Sequence, residues 1–394
     1  MKMTLLWGMS MLVSVLAVSI PDNRRRDTPL EVTVESVENS ALKASITNTG
    51  SEPLRLLKTG SILDSAAIER AEIFSGSEQL AFDGVRLAVS QQNLAEGAFQ
   101  TLQAGQTVVT EWDPATVHDL SGGGEMDFVI RGSFLTAKAN CTEVTGEIPF
   151  SANVVHSKVD GVTAAKVRRS FHESLRAKLK RSAVQNDCTG AKGRYVLKTS
   201  GSLNMLWDPP NFAQMPSIIN ISSLTFVKNR AQVTATQNCA RMATAAEQAA
   251  RNGSGDKLME YFSSQSTSTR QTVAGVFNKI AAECDSTTSG VAEQYCSDVL
   301  QYCSDSILAY AVPSMDVMVS CGIYFEQLPG LETRCHRQDQ ATTTLHEVTH
   351  LRQVAGTNDF AYGYELATQL STNQALKNAD SYTLFANGKS SCLT

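Results

Sequence analysis

The chain has 394 residues, of which 42% are hydrophobic and 19% charged, and a net charge of −5. That length allows two or three domains with a sizeable core. The slight acidity argues against a nucleic-acid partner, which calls for a basic face, and the composition is not that of a disordered chain.

Met1-Lys2 makes a short basic start, and Leu5 to Val18 form an apolar run. Small residues, Ala17 and Ser19, then stand before Ile20 at the spacing of a signal cleavage site. A membrane anchor is the other reading, but a span takes about 20 apolar residues. Residues 1–19 are therefore expected to be a secretory signal, and the product to be exported and extracellular, with no membrane segment.

Residues 28–155 alternate apolar and polar positions between turn signals. Leu30 to Val34, Leu42 to Ile46, Asp127 to Ile130 and Glu147 to Phe150 read as short strands, and Asn48-Thr49-Gly50-Ser51 as a turn. Strands at this spacing suggest a β-sandwich. Ala164 to Arg181 changes texture to a Lys-, Arg-, Ala- and Leu-rich stretch, an exposed helix or a linker, carrying two dibasic pairs, Arg168-Arg169 and Lys180-Arg181. A solvated basic face explains such a helix. In an exported precursor a processing protease would also cut there, and the strand-to-helix change favours the cut after Arg181.

Eight of the nine cysteines lie beyond that point: Cys188, Cys239, Cys284, Cys296, Cys303, Cys321, Cys335 and Cys392. An even number in an exported segment predicts disulfides. Cys141 is the odd one, inside a glycosylation sequon. Other such sequons start at Asn220 and Asn252. The spacing predicts helices over Ala235 to Arg251, Lys257 to Phe262, Ser268 to Cys284, Gln340 to Val354 and, with interruptions, Tyr364 to Phe385. Residues 285–335 read as loop-rich. Residues 193–230 keep no steady period and stand out as an atypical insertion.

His346-Glu347-Val348-Thr349-His350 is an HExxH string. On a helix the two imidazoles share a face and can reach one metal, and the glutamate between them can reach a water on that metal. Zinc lowers the pKa of such a water, Glu347 can take its proton, and the leaving amine can receive it. A helix with two surface histidines is the plain alternative. Gly356-Thr357 then breaks the helix, and Asp359 follows where a returning chain can offer a third ligand. Beyond residue 181 the only other histidine is His336, and beyond Glu347 the only glutamate is Glu365. Asp359 and Asp380 remain, with Asp359 directly after the turn.

HExxH followed by Gly356-Thr357-Asn358-Asp359-Phe360-Ala361-Tyr362-Gly363 resembles the HExxH and GTxDxxYG signature of the deuterolysin family of zinc metalloendopeptidases, the aspzincins. Asp339 to Leu345 and Asn378 to Tyr382 look alike too. The nine positions from His350 to Asp359 match the spacing of the lysine-directed relatives. The resemblance covers roughly 182–192 and 231–394. It implies one Zn2+ per chain held by His346, His350 and Asp359. It also implies Glu347 as catalytic base and Tyr362 as donor to the oxyanion. By the family's spacing the bridges would be Cys188–Cys296, Cys303–Cys321 and Cys335–Cys392, leaving Cys239 to pair with Cys284. The expected architecture is α+β: a β-sandwich pro-domain over 20–181, then a mainly helical zincin domain over 182–394 with a small β element. The expected partners are protein and peptide substrates, the chain's own pro-domain as inhibitor, and the processing protease. The working form is expected to be a monomer. A thiolate from Cys141 on the zinc is a further way to silence the precursor.

Overall fold

Leu30, Val32 and Val34 point one way and their neighbours the other, so β1 (Leu30–Glu38) buries alternate residues. It pairs antiparallel with β2 (Ala41–Asn48). A computed structural model describes residues 28–182, 223–286 and 290–388. The N-terminal half continues through β3 (Leu54–Leu57), β4 (Glu72–Ser75), β5 (Glu78–Gln79), β6 (Arg86–Val89), β7 (Phe99–Leu102) and β8 (Thr107–Trp112). It closes with β9 (Gly124–Val129), β10 (Arg131–Thr136), β11 (Gly146–Ser151), β12 (Val155–Val159) and the helix α1 (Gly161–Ser182). Except for β6, these strands make three small antiparallel sheets: β1-β2-β8, β11-β10-β3-β7 and β12-β9-β4-β5. Their inner faces share one core that includes Leu42, Ile46, Leu56, Ile73, Phe128 and Phe134.

The C-terminal half is mainly helical. It holds α2 (Ser223–Asn252), α3 (Gly255–Phe262), α4 (Thr267–Asp285), β13 (Glu293–Tyr295), β14 (Ile307–Val312), β15 (Val317–Ser320), α5 (Gly322–Gln327), α6 (Gln340–His350), α7 (Tyr364–Ala367), α8 (Thr372–Ala375) and α9 (Ala379–Asn387). The chain is thus a mixed α and β protein. Phe262, Phe277, Tyr382 and Phe385 pack at tilted, edge-on and stacked angles where α3, α4 and α9 meet. Each such aromatic pair contributes about 0.5–1.5 kcal/mol beyond the area it buries.

Three expectations change. Residues 285–335, read as loop-rich, also carry three strands and a helix. Ile307–Val312 and Val317–Ser320 are buried on both faces, so they show no alternation to read. Residues 223–230 belong to α2, not to the insertion, whose part from 193 to 222 lies outside the described residues. The helix that begins at Gln340 stops at His350, four residues short of Val354. The signal segment 1–19 also lies outside the described residues, among which no helix is long and apolar enough to cross a membrane.

Cys239–Cys284 joins α2 to α4, and Cys303–Cys321 ties the loop before β14 to the end of β15. Cys188 and Cys392 lie outside the described residues, and with them the expected pairings to Cys296 and Cys335. Cys141 is a free thiol. Replacing Cys239 and Cys284 together by alanine should cost about 2–4 kcal/mol by freeing the loop between them in the unfolded chain. The midpoint of urea unfolding would report it.

β6 leaves these three sheets. It adds to the other half as the edge strand of a fourth sheet, β13-β15-β14-β6, running antiparallel to β14. Its side chains enter a core built from both halves: Val85, Leu87 and Val89 with Leu57 and Phe99, and with Leu300, Ile307, Tyr310 and Val319. Leu175 of α1 joins the same core. Behind β6, His118 is only 1% exposed. Burial pushes its pKa below the ordinary 6.5, against the pull of Glu69 and with a push from Arg86. A histidine depressed in the folded state stabilises it above the unfolded pKa, and that contribution is lost as pH falls through the folded value. The thermal midpoint of the N-terminal half should therefore drop on acidification below about 6.5, and His118→Phe should flatten the drop.

Candidate metal centre

Helix α6 is wholly buried along its eleven residues, so neither histidine of the HExxH string is a surface residue. A capping box starts the helix. Asp339 Oδ1 accepts from the Thr342 amide at 2.6 Å, and Thr342 Oγ1 accepts from the Asp339 amide at 2.9 Å. Gly356 closes the turn behind the helix at φ +58°, in the left-handed region that suits glycine. The Thr357 amide bonds back to Thr349 O at 3.2 Å.

Asn358 then meets the loop before α9. Its amide donates to Lys377 O at 2.7 Å, and its carbonyl accepts from the Ala379 amide at 3.0 Å. Asn378 Oδ1 accepts from the amides of Phe360 and Ala361 at 2.9 and 3.1 Å. This clamp swings Asp359 back over α6. One donor atom each from His346, His350 and Asp359 now lies within 4.8 Å of the others.

Second partners fix both rings. His346 Nδ1 donates to Asp380 Oδ1 at 2.8 Å, and Asp380 Oδ2 accepts from the Gly363 amide at 2.6 Å. His350 Nδ1 donates to Thr357 O at 3.0 Å. Each Nε2 lone pair is thereby turned toward the other ligands. Asp359 Oδ1 stands 3.2 and 3.3 Å from the two Nε2 atoms. All three atoms are buried without a hydrogen-bond partner, and so are both carboxyl oxygens of Glu347. Buried polar atoms are rarely left so, and three convergent donors of this kind suit a divalent cation such as zinc.

The electrostatics agree. Burial pushes His346 down, but Asp359 and Asp380 outweigh it and hold the ring well above its ordinary value. Burial also opposes the Asp359 charge, yet His350 and His346 hold it below the usual carboxylate range. The pocket therefore favours positive charge beside His346. Burial raises Glu347, with Asp359 adding to the rise, and burial lowers His350. Tyr362 stacks near His346 with ring centroids 6.2 Å apart. His336 is elsewhere, against Tyr261 Oη at 2.6 Å and stacked on Tyr364. Cys141 does not join the cluster, so the structure gives no support to a cysteine-on-metal switch. Asp380, left over from the carboxylate count, turns out to orient His346. Its only signal was the likeness of the stretch around it.

A buried HExxH helix with a returning carboxylate defines a zinc-peptidase centre. The chain belongs to the deuterolysin metalloprotease (M35) family, which it matches over residues 1–204 and 216–392. It is 42% identical to a Neutral protease 2 homolog of Colletotrichum graminicola, over 96% of this chain and 97% of that one. It is 35% identical to penicillolysin of Penicillium citrinum, over 91% and 90%. Among solved structures it is similar to a zinc peptidase from Grifola frondosa at a TM-score of 0.33 and 20% identity, over 40% of this chain and 93% of that one. The chain is a hydrolase, a zinc metalloprotease.

Proposed function

We propose that the chain is the exported precursor of an endopeptidase that acts as a monomer with one zinc ion. His346, His350 and Asp359 hold the metal, Glu347 is the general base, and Tyr362 supplies a hydrogen bond to the oxyanion. The observation that carries this reading is the convergence of three buried lone pairs without partners, beside a glutamate whose two oxygens are also unpartnered. A bound zinc ion would supply Lewis acidity and bring a coordinated water toward neutral pKa. Glu347 takes a proton from the attacking water and passes it to the leaving amine. The Tyr362 hydroxyl, raised far above its ordinary pKa chiefly by burial, stays protonated and donates to developing negative charge.

Residues 1–19 are proposed as the signal, 20–181 as an inhibitory pro-domain and 182–394 as the working domain. Two features support a processing cut after Arg181. Arg168-Arg169 lies inside α1 with Arg168 paired to Asp83, whereas Lys180 and Arg181 are exposed in the last helical turn. Proteins, including basic ones, are the proposed substrates on the family resemblance. Chelator treatment of the processed enzyme should abolish hydrolysis of a generic protein, and added zinc should restore it. A rate indifferent to the chelator would sink the reading.

A further inference from the structure

The N-terminal half does not merely cover the site. Strand β6 crosses it, with Leu87 paired to Tyr310 and Ala88 to Ala309 on β14. Tyr362 Oη donates to Leu87 O at 3.0 Å, and the Leu87 amide points at Asp359 Oδ2 from 3.4 Å. One residue of the N-terminal half thus presents its carbonyl to the tyrosine and its amide to the aspartate.

Contacts on both sides hold that register. Arg86 Nη2 donates at 2.6 Å both to Glu69 Oε2 and to Asn358 Oδ1, the residue before Asp359. Gln338 Nε2 donates to Val89 O at 2.9 Å, and Gln338 Oε1 accepts from the Gln91 amide at 3.2 Å. Asp83 accepts from Arg168 of α1 and from Arg352, just past α6. Strand addition of this kind takes its affinity from main-chain hydrogen bonds and its register from side-chain pockets.

We infer that residues 86–89 are the inhibitory element of the precursor, lying along β14 as an extended peptide substrate would, with the Leu87 backbone held between Tyr362 and Asp359. The inference rests on the peptidase reading above and adds where and how silencing occurs. It also gives the substrate its direction: antiparallel to β14, with the residue at the Leu87 position donating its carbonyl to the chemistry.

The test uses the full-length chain, uncut by mass. Leu87→Pro removes the amide that faces Asp359, and Arg86→Met keeps the aliphatic stem but loses both anchors. With zinc, both variants should hydrolyse a generic protein faster than uncut wild type, Leu87→Pro by roughly tenfold or more, the equivalent of about 1.4 kcal/mol of strand affinity. Without zinc, hydrogen exchange should find the Leu87 and Ala88 amides protected in wild type, and the Ala88 amide open in Leu87→Pro. A synthetic peptide of residues 84–92 should compete with substrate on wild type freed of its N-terminal half. That last measurement decides the matter should either variant fail to fold. Folded variants as silent as wild type, or a peptide that does not compete, would overturn the strand's role. Wild type that stays inactive after its N-terminal half is removed and zinc is added would instead overturn the peptidase reading.

Discussion

Glu347→Gln in the processed enzyme should leave the fold and the zinc content intact and reduce protein hydrolysis by roughly 10²–10⁴-fold. The amide has the size of the carboxyl but accepts no proton at neutral pH. Neither Glu347 oxygen takes part in a hydrogen bond that the amide would break, so folding should not suffer. Thermal melts and metal analysis beside the rates separate the outcomes. A variant that keeps its metal and its rate would show that another group moves the proton.

The second large effect falls on the metal itself. Asp380→Asn leaves every direct donor in place but weakens the hydrogen bond that orients His346, so zinc affinity should fall by about 10–100-fold. Asp359→Ala removes a donor and should lose more than that. It also takes away the carboxylate that draws positive charge to both rings, so His350 is left buried without a counter-charge and His346 keeps only Asp380. Competition for zinc against a chromogenic chelator would rank wild type, Asp380→Asn and Asp359→Ala in that order. An Asp359→Ala chain that binds zinc as tightly as wild type would remove Asp359 from the ligand set.

Much of this centre was legible because it is local. Four residues of helix bring His346 and His350 together, and one glycine turn brings Asp359 back, all within a short stretch of chain. Asp380 was harder, because its role depends on the Asn358 and Asn378 clamp that sets α9 against α6. The alternating strands from Leu30 to Ile46 were readable for the opposite reason, since one face is wet. β14 and β15 were not, because both of their faces are dry. Least legible was β6. Arg86-Leu87-Ala88-Val89 reads as any buried strand, and nothing within it says that its partner lies more than two hundred residues away. A pairing that distant is a property of the folded chain and leaves no period in the sequence.

If the chain is cut after Arg181 as proposed, the core that Leu87, Val89 and Leu175 share with Leu300, Tyr310 and Val319 would make cutting and activation separate events. While the backbone is continuous, the strand meets its cleft at an effective concentration on the order of millimolar. The proposed cut after Arg181 would abolish that tether but none of the buried contacts. The nicked protein would be a two-fragment complex, and its activity is expected to follow a dissociation constant. It should wake faster on dilution than in a concentrated secretion, and destruction of the released fragment by the first active molecules would make the change irreversible.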